Sequence, residues 1–516
     1  MTSWTRAAVV GWAVAWPLVA GVSVGRAAEP EKTNVGHPAP TVTIGSKKFT
    51  ESVVLGEILV HLTRAYGAVP RHLAEMGGTR FVWNSLKSGE IDLYPEYTGT
   101  LTQEIFAGRE IDDRRQLRRL LAEQGVGMSR PLGFNNTYAI AMRPEMADRL
   151  GITTISDLRQ HPSLSFGVSS EFMDRADGWP ALKRCYRLPQ TNVRGMDHDL
   201  SYRALKAGQI DLISAYSTDA EIAYYGFRVL EDDLRHFPRY DAVVLYRLDL
   251  PQRWPEIKRV LDLLAGSIDE RRMMQMNERV KIAGIPDTLV ASRFVNATFG
   301  LNSTPHVQTF QGRLLANTRD HLLLVAVSLA AAIATSLPLG ILAARYPTAG
   351  QFILGAVGVL WTIPTLVLFV FMIPIFGVGS LPAIVALYLY SLLPIVRNTH
   401  AGLKGIPTSL LESADALGLP RRARLRLVEL PLASRSILSG IKIAAVINVG
   451  TAALGALIGA GGYGQPIVTG IRLDNPTLIY GQGAIPNAIL SLAVLALAEL
   501  AERRLVPKGL RLKPSQ

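Results

Sequence analysis

The chain has 516 residues, 48% of them hydrophobic and 19% charged, one cysteine and a net charge of +12, a length that allows about three domains. Its apolar fraction excludes a low-complexity disordered chain, and Cys185 has no partner for an intrachain disulfide. A mean hydropathy of +0.21 beside so few charges points to a membrane portion, and the basic balance suggests nucleic acid or a membrane surface, depending on where it sits.

Residues 1–28 read as a signal peptide or N-terminal anchor. Arg6 precedes an uncharged stretch at 7–24, and Gly25-Arg26-Ala27 offers small residues at a cleavage site. Either way, the chain beyond it is placed outside the inner membrane. Residues 29–40 contain three prolines and read as a linker.

Residues 41–300 have soluble character. T-V-T-I at 41–44 predicts a strand, and a helical pattern covers 51–66. Ser156-Asp157-Leu158 opens a helix, 164–168 reads as a strand, 201–207 as a helix and 210–213 as a strand. The alternation predicts an α/β domain with a mainly parallel sheet. Residues 301–320 hold Asn302, Ser303 and Pro305 and read as a short linker.

From 321 to 505 the chain changes solvent. Charge-free stretches cover 322–344, 350–396, 443–471 and 476–498, and the second is broken at Gly377-Val378-Gly379-Ser380-Leu381-Pro382. At about 20 apolar residues per span, this predicts an all-α membrane domain of five helices, near 322–344, 351–376, 381–397, 441–460 and 478–498. Asn448 falls at bilayer depth, either lining a path or bonding a neighbouring helix.

Charge sets the orientation. With the soluble domain outside, the cytoplasmic pieces hold fourteen basic residues, from Arg345 through the 397–442 segment to Lys513, against five acidic ones. These account for most of the net charge and follow the positive-inside rule. The excess is an insertion signal and a surface toward anionic lipid and a protein partner, with no nucleic acid implied. No Walker A motif occurs, so nothing in this chain is expected to bind ATP by that route and no cofactor is expected in it.

One cytoplasmic segment carries a motif. Glu412-Ser413-Ala414-Asp415-Ala416-Leu417-Gly418 is followed by Val428-Glu429-Leu430-Pro431. Small residues let a short helix lie close to a partner, and the glycine accepts the positive φ that ends it. This resembles the EAA loop of ABC importer permeases, with Ser413 and Val428 as departures from the usual Ala and Ile. The resemblance implies that residues 406–431, and Glu412, Ala414, Gly418, Leu430 and Pro431 in particular, engage a separate ABC ATPase, and that the permease works as a homodimer.

The soluble half carries several segments in one order. They are Ile44-Gly45-Ser46-Lys47-Lys48-Phe49-Thr50-Glu51; Leu93-Tyr94-Pro95-Glu96-Tyr97-Thr98-Gly99-Thr100; Asn135-Asn136-Thr137-Tyr138; Glu171-Phe172-Met173-Asp174-Arg175; Ala215-Tyr216-Ser217-Thr218-Asp219; and Phe237-Pro238-Arg239-Tyr240. Together they resemble the type II periplasmic binding proteins of quaternary-amine importers, which carry glycine betaine, choline, carnitine and related trimethylammonium compounds. A trimethylammonium group donates no hydrogen bond, and aromatic faces supply both a negative quadrupole and apolar contact. The resemblance implies a bilobed α/β fold with an aromatic cage of Tyr97, Tyr138, Tyr216 and Tyr240. It implies a carboxylate held by Lys47, Thr100 and Arg175, by charge-assisted donors. Arg175 has an alternative in pairing with Asp174 or Asp177. Where the family often has Gln as a ligand donor, this chain has Ser52, an eighth binding residue by the resemblance but one of shorter reach.

The expectation is a receptor-plus-permease subunit of an ATP-driven importer, not itself an enzyme, in the inner membrane with the binding domain outside and the C-terminus cytoplasmic. In this chain the binding domain precedes the permease, whereas the commoner fused form has the reverse order. The alternative is a ligand-gated channel or membrane sensor with a fused binding domain, which calls for a selectivity filter or signalling domain. A membrane-anchored enzyme finds no support in the nine histidines, which show no metal-ligand spacing.

Overall fold

A computed structural model describes residues 39–507, apart from 112, 176 and 306–308. The predicted export segment and the basic residues after 507 lie outside the described residues. The soluble half holds two five-stranded sheets, one per lobe. In the first lobe β1 (Thr41–Gly45), β2 (Val69–Leu73), β3 (Leu93–Tyr97) and β4 (Val126–Met128) are joined by β10 (Ala242–Arg247), in the order β2-β1-β3-β10-β4. In the second lobe β5 (Tyr138–Met142), β6 (Phe166–Ser169), β7 (Val193–Met196), β8 (Leu212–Tyr216) and β9 (Arg228–Val229) take the order β7-β6-β8-β5-β9.

Each sheet is half parallel and half antiparallel, against the mainly parallel expectation. β1 pairs parallel with β2 and β3, while β10 runs antiparallel to β3 and β4. In the second lobe β6 pairs parallel with β7 and β8, while β5 is antiparallel to β8 and β9. The reason is topological. β5 and β10 are the strands entered directly from the other lobe, so they run opposite to their neighbours built from local crossovers. The two crossings lie side by side: Leu132 and Ala242, and Asn136 and Tyr240, are joined by backbone hydrogen bonds of 2.8 and 3.0 Å. They form the hinge.

The helix predicted at 51–66 is Thr50–Ala65 and that at 201–207 is His198–Lys206, while the helix predicted at Ser156 is only a 3₁₀ turn, Ser156–Gln160. The linker is shorter than expected, because a helix already begins at Phe310. Its first part is fastened back on the domain. The Ser303 hydroxyl lies 2.6 Å from His61 Nδ1, and the Ser292 hydroxyl donates to the Ser303 carbonyl at 2.7 Å.

The membrane half begins with Phe310–Arg345, 36 residues or about 54 Å long. It packs on Ser380–Lys404, which packs on Leu430–Ala452, which in turn meets Ile485–Leu505. Between the first two lies a broken pair, Pro347–Thr362 and Thr365–Phe376, bent by 98°. Pro364 causes the break: it lacks an N–H and forces Ile363 into extended backbone (ψ 125°). By length and composition the helices make four spans, or five with the broken pair counted as one. The neighbours at the two ends of the pair fit its counting as one span. The pair starts beside Ala343, against which Gly350 packs, and ends at Gly377, beside Glu90 of the first lobe. It therefore runs from the far end of the bundle to the end that meets the soluble half.

Asn448 is fully buried, donating to Ser328 at 3.1 Å and accepting from Ser391 at 3.0 Å. It ties three helices together, the second of its two predicted roles.

Candidate functional site

The cleft between the lobes is built at strand ends. Tyr97 closes β3, Tyr138 opens β5, Tyr216 closes β8, and Tyr240 sits on the hinge just before β10. Tyr138 and Tyr216 are register partners across an antiparallel pair, so their rings lie side by side, centroids 5.3 Å apart. Tyr240 stands edge-on to Tyr138 at 5.6 Å and 86°. Gly99 makes room for it, since a Cβ there would strike the Tyr240 ring. Phe49 completes the wall, 6.2 Å from Tyr97 and 5.4 Å from Tyr216. One cavity is lined by these five rings together with Lys47, Thr100, Asn136, Glu171 and Arg175.

Seven of the eight sequence-predicted binding residues thus face one space. Ser52 does not: it is fully buried and its hydroxyl accepts the Lys47 backbone N–H at 2.9 Å. It shapes the turn that aims Lys47. Phe49, Asn136 and Glu171 were missed as lining residues. All three lie inside the motif segments, and Phe49 could have been found as the aromatic residue of the first one.

The charges in the cleft are matched. Lys47 Nζ meets Glu96 at 2.5 Å and the Thr79 hydroxyl at 3.2 Å, and stands 5.4 Å from the Tyr97 ring centre. Arg175 is bidentate to Asp177, both bonds 2.7 Å, and its guanidinium lies 5.5 Å from the Tyr138 ring centre. Of its two predicted acidic partners, Asp177 is the one engaged. Glu171 accepts the Thr79 N–H at 3.2 Å across the cleft. Burial would raise its pKa, but the Lys47 and Arg175 charges outweigh this and hold it below the usual carboxylate range.

Behind the rings, Glu51 anchors the site. It accepts from Tyr97 Oη (2.7 Å), Asn136 Nδ2 (2.8 Å), the Thr218 hydroxyl (2.6 Å) and Asn277 Nδ2 (3.1 Å). Burial pushes its pKa up against the pull of these four donors. His198 stacks on Tyr216, centroids 4.6 Å apart, and meets Asp219 at 3.0 Å. Burial alone would lower its pKa, and the Asp219 carboxylate raises it above the ordinary value.

At the opposite end of the bundle lies the segment 406–431. The helix Thr408–Ala416 ends at Gly418, whose φ is +72°. Glu412 and Gly418 are exposed, Ala414 is buried, and Leu430 and Pro431 begin the next long helix. Arg424 braces the fold, bonding Asp415 at 2.6 Å and Glu429 at 2.8 Å. Leu410, Leu417 and Leu427 are left exposed.

Residues 40–297 match the family described as the substrate binding domain of ABC-type glycine betaine transport systems, and residues 336–509 match the binding-protein-dependent transport system inner membrane component. The choline transport system permease protein OpuBB of Bacillus subtilis is 40% identical over 40% of this chain and 94% of that protein. The osmoprotectant import permease protein OsmY of Salmonella typhimurium is 47% identical over 38% of this chain and 83% of that protein. The ergothioneine transport permease/ergothioneine binding protein EgtU of Helicobacter pylori is 30% identical over 49% of this chain and 47% of that protein. A crystal structure of a glycine betaine/carnitine/choline ABC transporter is 28% identical with a TM-score of 0.42, covering 50% of this chain and 98% of that one.

Proposed function

The chain belongs to the family of fused binding protein and permease subunits of glycine betaine/choline-type ABC importers, and from that premise we propose that its cleft captures a trimethylammonium compound. The observation that carries this is the convergence of Phe49, Tyr97, Tyr138, Tyr216 and Tyr240 on one cavity. Each ring face contributes roughly 0.5–2 kcal/mol toward a desolvated cation. The head group sits among the rings, and the ligand's polar tail faces Thr100, Lys47 and Arg175. Candidates are the compounds named for the relatives: choline, glycine betaine, carnitine and ergothioneine.

Transport follows from the two ends of the bundle. The receptor domain lies outside the inner membrane and hands ligand to a path formed by two copies of the membrane domain. A separate ATPase subunit binds the loop of Glu412, Ala414 and Gly418, with Leu417 and Leu427 supplying apolar contact. ATP is bound there and not by this chain. Leu430 and Pro431 pass the movement into the fourth span. Calorimetric titration of the full chain in lipid nanodiscs with the four compounds tests the reading. At least one binds, and a chain that binds none of the four rejects it.

A further inference from the structure

The external segment after the fourth span touches both lobes. Arg472, at the end of the helix Gly464–Arg472, is 3% exposed, yet its partners belong to the soluble half. Its guanidinium bonds Glu75 and is bidentate to Asp287 at 3.0 and 3.1 Å, with Thr50 at 3.4 Å. Gln465 and Thr469 add bonds of 3.1 and 2.7 Å to Glu75. All these partners lie on the first lobe. Two residues on, Asp474 meets Arg203 of the second lobe at 2.5 Å.

The Glu75 contact leads into the cleft. Glu75 has a φ of +60°, a left-handed conformation that a non-glycine residue adopts only when its surroundings hold it. It opens the turn 75–79. There Met76 N–H bonds the Ser46 carbonyl at 2.9 Å, and Thr79 N–H reaches Glu171 of the second lobe at 3.2 Å. Arg203 lies on the helix His198–Lys206, whose first residue stacks on Tyr216. Thus each anchor of the external segment is one short step from a cleft residue, on opposite lobes.

We propose that residues 472–474 form a clasp by which the membrane domain itself holds the two lobes closed, with Arg472 the positioning residue that fixes the 75–79 turn against Glu171. The clasp acts without ligand. By linkage, any state of the membrane domain that moves this segment lowers the affinity of the cleft, and ligand that favours closure favours the clasped state in return. The inference rests on residues 40–297 being a binding domain, and not on which ligand it takes.

Pulsed electron paramagnetic resonance on the full chain in nanodiscs, with no ligand added, reads this directly. One spin label goes on the exposed native Cys185 of the second lobe and one on Arg115→Cys, an exposed site of the first. The parent chain gives one short interlobe distance. Arg472→Ala adds a longer distance as a major population, Arg472→Lys restores part of the short one, and Arg203→Ala and Asp474→Ala raise the long population several-fold less. The last two break only an exposed pair, so they carry the test if Arg472→Ala fails to assemble. Distances that stay unchanged in these variants overturn the clasp, whatever the calorimetric titrations give.

Discussion

The two halves of the molecule are held together by different residues. The receptor domain buries large side chains, among them Tyr94, Tyr186, Tyr202, Phe166 and Phe172. In the membrane bundle Phe369 is also fully buried, but the helix–helix approaches fall on small residues. A Cβ on Gly440 would stand 2.6 Å from the Pro394 carbonyl, and one on Gly340 would stand 2.5 Å from Thr399 Cβ. Ala332, Ala386 and Ala444 are buried between the same helices. The contrast follows from solvent. Water drives large apolar surfaces together, whereas lipid is as apolar as leucine, so membrane helices gain by close approach instead.

That contrast can be broken by exchanging side-chain size. Phe166→Ala in the receptor domain removes a fully buried ring and destabilises it by about 3–5 kcal/mol, read from the receptor transition in chemical denaturation. Gly440→Leu forces apart two helices and destabilises the membrane domain by about 1–3 kcal/mol, read from the detergent-unfolding transition. A Gly440→Leu chain with an unchanged membrane transition would show that close approach does not hold the bundle.

The functional ends differ in the same sense, one closed and one open. Tyr138→Ala at the cleft weakens ligand binding by about tenfold, or about 1.4 kcal/mol, measured by calorimetry. Arg424→Ala at the far end leaves ligand affinity unchanged. Under the proposed coupling it lowers ligand-stimulated ATP hydrolysis by an ATPase partner a few-fold, because the brace between Asp415 and Glu429 is lost.

The smallest expected effect is a pH dependence. The folded pKa of His198 lies above its ordinary value of 6.5. The stabilisation from its pairing with Asp219 is therefore complete below about 6.5 and lost as pH rises through the folded pKa. The melting temperature of the receptor domain falls over that window, and His198→Asn removes this component of the slope.

Much of the site was legible because the motif tyrosines fall at strand ends, where side chains from separate segments meet. Tyr97, Tyr138, Tyr216 and Tyr240 are brought together in that way, and they sit beside Lys47, Thr100 and Arg175. Ser52 stands apart from them because the local turn points its hydroxyl at the Lys47 backbone. The half-antiparallel sheets escaped notice because strand direction depends on which lobe the chain arrives from, and that is a long-range property. In the membrane half, the charge-free stretches located the spans but not the bend at Ile363-Pro364. The partners of Arg472 are about 185 to 420 residues away, beyond the reach of any local sequence pattern.

The central claim is that the cleft recognises a cation through aromatic faces. Its most direct test is calorimetric titration of the full chain with choline and with 3,3-dimethyl-1-butanol, its uncharged isostere. The account predicts that choline binds at least about tenfold more tightly, and that Tyr138→Ala narrows the gap. Equal affinity for the two compounds would contradict it.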